Sequence, residues 1–383
     1  MHRKKLTILT ARADTRLVWR EAVAAFSRMG HTVSAVDALS PGGVAKIFAL
    51  PPERSGLSAH PALFFSVNFH GLDKHGEVFA ACKRNGLPVA VWCVDNPWNL
   101  LSGLRNDFWK ETHLFITDPS FIPALRAHGA KQVSFLPLAT DPNVFGTMRP
   151  ASAASTTAAP VTFVGRSAFP DKDRFFVGQT VPRAVLDEAL ASLDHGGRPD
   201  FSWWLERLPP EGATLWPGSA ARRASLGAEE SSLAWRNACL QVAAPLGLAV
   251  YGDTGWKPLL PDTVALLPPL DYYTALANVY ANAPFSLVMM SLLLPHALNQ
   301  RHFDIWAAGG FALLDNSPGL DLFPHELTEQ VTFKTPMDIP RLVRFFSDNP
   351  EQKTQIAATW RKLILAEHTY EIRTRSLIKT IFS

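Results

Sequence analysis

A chain of 383 residues is long enough for two hydrophobic cores, and 47% hydrophobic with 19% charged residues suits packed globular domains. A net charge of +3 is too slight to imply a nucleic-acid partner, and Cys82, Cys93 and Cys239 are odd in number, far apart and without zinc spacing. The longest apolar run, SLVMMSLLLP closed by Pro295, falls short of the roughly 18 residues of a membrane span, and LTILTA after Arg3-Lys4-Lys5 is too weak for a secretion signal, so a cytoplasmic protein is expected.

In chain order, strand and helix patterns alternate. KLTILTA (5–11) reads as a strand, TRLVWREAVAAFSRMG as an amphipathic helix, HTVSAVDA as a second strand and GGVAKIFAL as a short helix. ALFFSVNF (62–69) is apolar throughout, as a strand buried on both faces should be. HGEVFAACKRNG, PVAVWCVD, NLLSGLRNDFWKE, HLFITDP, SFIPALRAHGA and VSFLPLA continue as helix, strand, helix, strand, helix, strand. Such alternation predicts a parallel, doubly wound sheet, and no G-x-G-x-x-G follows the first strand.

Residues 147–160, TMRPASAASTTAAP, read as an interdomain linker. The expected map is therefore a first domain over 1–146, a second over 161–365, and a closing helix over 366–383. Strand patterns recur at VTFVG (161–165), LAVYGD, VALLPPL, FSLVMM, FALLD and VTFK, with an insert at about 171–246 whose pattern loosens, and two helices to the end.

LNQRHFDIWAAGGFALLDN (298–316) reads as a short helix, a glycine stop and a buried strand ending in Asp315. In open α/β sheets ligands lie off the carboxyl ends of strands, so this stretch puts polar groups near a crevice. The plain alternative is an ordinary helix–strand unit with an Arg301–Asp304 surface pair one turn apart. NFHGLD (68–73) and CVDNPW (93–98) also end buried strands. Asp95 stands at such an end, and Trp98 offers a flat face suited to a sugar or base; equally, Asp95 and Asn96 can cap the next helix while Trp98 packs. His70, with Asp73 and His75 near it, is either hydrogen-bonded structure or a contact for acceptor or phosphate. In FVGR (163–166) Gly165 permits close backbone approach and Arg166 offers a planar fork for a diphosphate, with Lys172 and Arg174 adding charge. VYGDTGW places Gly252 and Trp256 in a strand-end loop, with Trp256 a stacking surface or a packing residue, while tyrosines 272, 273 and 280 read as packing. Asp171-Lys172-Asp173 reads as a solvated loop, and no metal site is expected.

These motifs resemble the nucleotide-sugar site of GT-B glycosyltransferases, and LNQRHFD with AAGGFALLD is closest to the CgeB-type (spore-maturation-protein-like) family. The resemblance is specific over about 285–377, where EHTYEIRTRSL matches the family's closing helix, and extends to D-x-P-W in VDNPW. It implies α/β architecture with two facing Rossmann-like domains, parallel sheets and a C-terminal helix returning to the first. It also implies a metal-independent hexosyltransferase that needs no cofactor beyond a nucleotide diphosphate sugar as co-substrate. The acceptor would be a glycan, a protein or a small molecule. Asp304, five before Gly309, takes the place of the acid that holds the donor ribose; eight residues upstream, where many relatives carry Glu, this chain has His296. Implied donor contacts are Gly165, Arg166, Lys172, Gly252, Trp256, His296, Asn299, Arg301, Asp304, Gly309 and Gly310; implied acceptor contacts are Asn96 and Trp98. An inverting route would use Asp95 or His70 as base, and a retaining route would need mostly positioning. An epimerase or phosphorylase, or a non-catalytic nucleotide-sugar binder, would use the same site.

Overall fold

Short, mostly apolar runs of two to five residues, too short and too rich in branched and aromatic residues for buried helices, form the strands of two parallel sheets. The computed structural model describes residues 5–49, 51, 60–147, 159–209, 212 and 214–383. Of the expected linker, residues 148–158 lie outside that range. The first sheet contains β1 (Thr7–Ala11), β2 (Thr32–Val36), β3 (Leu63–Val67), β4 (Val89–Cys93), β5 (His113–Ile116) and β6 (Gln132–Phe135), in the order β2-β1-β3-β4-β5-β6. The second contains β7 (Val161–Val164), β8 (Leu248–Tyr251), β9 (Ala265–Leu267), β10 (Phe285–Val288), β11 (Ala312–Asp315) and β12 (Thr332–Phe333), in the order β12-β11-β10-β7-β8-β9. Every pairing is parallel, so helices must return the chain across the faces. Strand order reverses between β1 and β3 in one sheet and between β7 and β10 in the other. Those switch points open a crevice at the strands' carboxyl ends.

The chain divides into two compact units. The first takes in residues up to Leu138, Gly212–Ala221 and Tyr370–Ser383; the second takes in Ala139–Glu211 and Arg222–Thr369. The last helix, Tyr370–Phe382, thus belongs to the first unit, where it packs on Trp19–Arg28 and Glu371 pairs with Arg28 at 2.6 Å. Arg373 of that helix is buried and donates Nε to the carbonyls of Pro137 and Leu138.

Helices were less regular than the periodicity suggested. NLLSGLRNDFWKE divides into Pro97–Leu101 and a 3-10 turn over Asp107–Glu111, because Gly103 and Asn106 interrupt it and Asn106 caps the second piece. Among the described residues, the stretch read as an insert contains four α-helices, Lys172–Phe175, Arg183–Asp194, Phe201–Arg207 and the 23-residue Ala221–Ala243. The tail carries three consecutive helices, Asp338–Asp348, Pro350–Glu367 and Tyr370–Phe382, where two were expected; Pro350 starts the second.

The double glycine serves two separate needs. Gly309 ends the Arg301–Ala307 helix at φ +84°, and Gly310 lies where a Cβ would come within 2.3 Å of the Tyr280 carbonyl. Gly310→Ala is expected to lower the unfolding free energy by about 1–3 kcal/mol, since a backbone oxygen cannot swing aside as a side chain can. Urea denaturation checks this; an unchanged midpoint would mean β11 can shift without cost.

Candidate functional site

The second unit's switch point brings together the carboxyl ends of β7, β8 and β10. After β7 the chain turns through Gly165, Arg166 and Ser167, and after β8 through Gly252 and Asp253. A Cβ on Gly252 would sit 2.5 Å from the Gly165 carbonyl, so glycine lets the two turns touch. Asp253 fastens them by accepting from Ser167 N at 3.1 Å and Ser167 Oγ at 2.6 Å. Arg166 is exposed. Arg301, at the start of the Arg301–Ala307 helix, places Nη2 so that a Cβ on Gly165 would be 3.3 Å away. Among the described residues its guanidinium forms no ion pair. Asn299 sets that helix start, accepting from Arg301 N at 3.0 Å and donating to the Met289 carbonyl after β10. Gly165, Arg166, Gly252, Asn299 and Arg301 therefore share one rim.

Other expected contacts stand elsewhere. Trp256 is fully buried: its indole N–H donates to Gly165 O at 2.9 Å and Phe163 meets it edge-on at 5.8 Å. No face remains for a base, so the stacking expectation is corrected to a packing and hydrogen-bonding role. Lys172 is held by Glu230 at 2.7 Å. Gly309 and Gly310 precede β11 and lie at the amino-terminal edge of the sheet, away from the crevice. His296 is exposed and stands near Asp200, whose carboxyl is raised by desolvation.

Asp304 departs most from expectation. It is 1% exposed, with Oδ1 accepting from Thr140 Oγ1 and Oδ2 from Tyr272 OH, each at 2.7 Å. A carboxyl with one hydroxyl on each oxygen and no solvent access ties segments together; it does not present itself to a ribose, and it makes no pair with Arg301. Tyr272, read as packing, is one of its donors.

At the carboxyl end of β11, Asp315 is wholly buried and its Oδ2 receives Met290 N, Trp235 Nε1 and Arg198 Nη1. His302 lies close enough to feel that charge. Burial pushes the His302 imidazole down to about 4, against the opposing pull of Asp315, so it is neutral at pH 7. The unfolded histidine titrates near 6.5, so the native state loses stability as pH falls from about 6.5 toward 4. His302→Asn is expected to flatten that limb, which spans at most about 3 kcal/mol. Equal acid slopes for the two proteins in urea melts at pH 7, 6 and 5 would count against it.

In the first unit, Asn68, His70 and Asp95 converge at the ends of β3 and β4. Asn68 donates Nδ2 to Asp95 Oδ2 at 2.7 Å and accepts from Val94 N at 2.8 Å. Asn68 and Phe69 both adopt left-handed backbone, at φ +52° and +61°, an uncommon arrangement for consecutive non-glycines. His70 Nε2 lies 2.9 Å from the Arg12 carbonyl, and since a carbonyl only accepts, Nε2 is the donor. Asp95 is open to solvent yet crowded by protein; that partial desolvation raises its pKa against the hydrogen bond from Asn68 and the charge of Arg16. Asp73 accepts from His75 N and Val78 N, capping the next helix. Asn96 and Trp98 are corrected likewise: Asn96 is buried and caps its helix through Trp98 N, while Trp98 is 1% exposed and packs on His128. Neither is available to an acceptor in this structure.

Residues 236–379 match the family described as glycosyl transferase-like. Among solved structures, an alpha-glucosyltransferase in complex with UDP-glucose and DNA containing an abasic site has 10% identity, a TM-score of 0.56 and coverage of 100% of both chains. The same kind of enzyme with UDP and a 13-mer DNA has 12% identity, a TM-score of 0.54 and coverage of 99% of this chain and 100% of that one. HepE of Anabaena in complex with UDP-glucose has 10% identity, a TM-score of 0.53 and coverage of 98% and 99%. At such identities the likeness is one of fold, and the fold is of the GT-B type. No curated protein matches the chain. Among the described residues, no helix is long and apolar enough to cross a membrane, and no group of three or more His, Cys, Asp or Glu is placed to hold a metal ion.

Proposed function

We propose that this chain is a nucleotide-sugar-dependent glycosyltransferase of the CgeB type, acting in the cytoplasm and transferring a hexose. The second unit binds the donor, and the first serves the acceptor, a glycan, protein or small molecule. One observation carries this reading. At the switch point of the second unit, most of whose later part matches the glycosyl transferase-like family, Arg301, which forms no ion pair among the described residues, stands beside the Gly165–Arg166 turn. A uridine diphosphate sugar is the first donor to try, because solved structures with this fold hold UDP-glucose.

In the transfer, the bond from the anomeric carbon to the diphosphate oxygen breaks and a bond to the acceptor oxygen forms. The diphosphate leaves with added negative charge, which Arg301 and Arg166 stabilise electrostatically. In an inverting route the acceptor proton passes to Asp95, whose raised pKa makes it a better base than an ordinary aspartate. A retaining route asks only for positioning.

The test is product analysis after incubation with a panel of nucleotide sugars and candidate acceptors, with and without a chelator. Sugar transfer that persists with chelator supports the reading. Isomerisation of the donor, or binding without turnover, would replace it. Chelator arrest reversed by magnesium or manganese would overturn the metal-independent step.

A further inference from the structure

Three successive carbonyls after β7 point into the protein. Gly165 O accepts the Trp256 indole N–H at 2.9 Å, Arg166 O accepts Arg236 Nη1 at 2.8 Å, and Ser167 O accepts Arg236 Nη2 at 3.0 Å. In a trans peptide the following N–H points opposite to the carbonyl, and the one cis bond among the described residues is Trp216–Pro217. The amides of Arg166, Ser167 and Ala168 are therefore turned away from Trp256 and Arg236. Asp253 takes the Ser167 amide at 3.1 Å. Those of Arg166 and Ala168 have no protein partner among the described residues.

Arg236 is held from every side. Its Nε donates to Ser232 O at 3.0 Å, Glu229 lies 3.7 Å from Nη2, and the Trp256 ring lies 5.9 Å from the guanidinium carbon. Only 14% of the side chain is exposed. It also stands near enough to Arg301 for the two like charges to oppose each other. Burying a cation beside another cation is costly, and Glu229 alone could have been left out with it. What the guanidinium adds is a planar fork that grips two adjacent carbonyls, a geometry one lysine amine does not reproduce.

We propose that Arg236 and Trp256 are positioning residues that hold the Gly165–Ser167 carbonyls inward, so that the Arg166 and Ala168 amides and Arg301 form an anion-binding face for the diphosphate of a nucleoside diphosphate sugar. This inference rests on the donor reading above. The concave arrangement of outward amides is the kind that binds anions elsewhere.

Calorimetry with inorganic pyrophosphate, UDP and uridine, on wild type, Arg236→Lys and Trp256→Phe, tests it, with the thermal midpoint recorded for each. Both variants are expected to bind pyrophosphate and UDP roughly 10- to 100-fold more weakly, as for loss of charge-assisted contacts, while uridine affinity is unchanged. If Arg236→Lys does not fold, Trp256→Phe, which deletes one hydrogen bond and keeps an aromatic ring, carries the test. Folded variants with unchanged pyrophosphate affinity, or with equal losses for UDP and uridine, overturn the positioning role. Wild type that binds pyrophosphate in an Arg236-dependent way but no nucleotide would leave the anion face standing and remove the donor reading. Wild type that binds neither removes both.

Discussion

Arg301→Ala is expected to lower turnover by about 100- to 1000-fold, with little change in the thermal midpoint. Its guanidinium has no ion-pair partner among the described residues, so truncation leaves no buried carboxylate stranded. What is lost is preorganised positive charge beside the Gly165 turn, and a single such group aimed at a developing oxyanion contributes about 3–4 kcal/mol. Arg301→Lys should recover part of the rate, because a point charge remains while the fork does not. Arg166→Ala should cost less, since its side chain is exposed and screened by salt. Steady-state kinetics with the donor found in the panel decides this. A kcat within about threefold of wild type would remove Arg301 from the transition state.

Asp304→Ala is expected to lower the unfolding free energy by about 1–3 kcal/mol, the cost of removing the acceptor of the buried Thr140 hydroxyl, with a smaller loss at the half-buried Tyr272 hydroxyl. Thr140 and Tyr272 approach different oxygens of the same carboxyl, so one truncation removes both hydrogen bonds. Replacing the donors instead, as Thr140→Val with Tyr272→Phe, tests the coupling, since contacting residues are expected to be non-additive. Urea denaturation of the set gives the result. An Asp304→Ala protein of full stability but weakened donor affinity would restore the ribose role that the sequence motif implies.

Strands were the most legible part of the chain. A parallel strand covered on both faces has no polar side, so runs such as ALFFSVNF and PVAVWCVD stand out without any periodicity. Of the twelve strands found among the described residues, eleven fall within runs read as strands, and β6 begins one residue ahead of VSFLPLA, at Gln132. Helix limits were harder, because Gly103 breaks one pattern and the long Ala221–Ala243 helix starts ahead of its apolar stripe. Site residues divided along a physical line. Gly165, Arg166, Gly252, Asn299 and Arg301 were legible because strand ends and helix starts are local properties. Which way Trp256, Trp98 and Asp304 face depends on partners distant in sequence, Gly165 for the first and Thr140 for the last, and no local pattern encodes that. Arg236 was missed altogether, being one basic residue on a long helix with nothing nearby to distinguish it. The left-handed Asn68–Phe69 pair behind Asp95 was equally hidden, since phenylalanine carries no expectation of positive φ.

The last helix has a consequence for how the protein is made. Arg28 and its partner Glu371 are separated by 343 positions, and Tyr370, which packs against Trp92, arrives as late. Ribosomes add about 5–20 residues per second, so the face of Trp19–Arg28 waits roughly 17–70 s for its cover. The usual order, in which the amino-terminal domain folds first, cannot be completed here; the first unit is closed last. A nascent chain halted before residue 370 should therefore display an apolar helix face that the Tyr370–Phe382 helix hides, and be a client of whatever holds such faces until that helix is made.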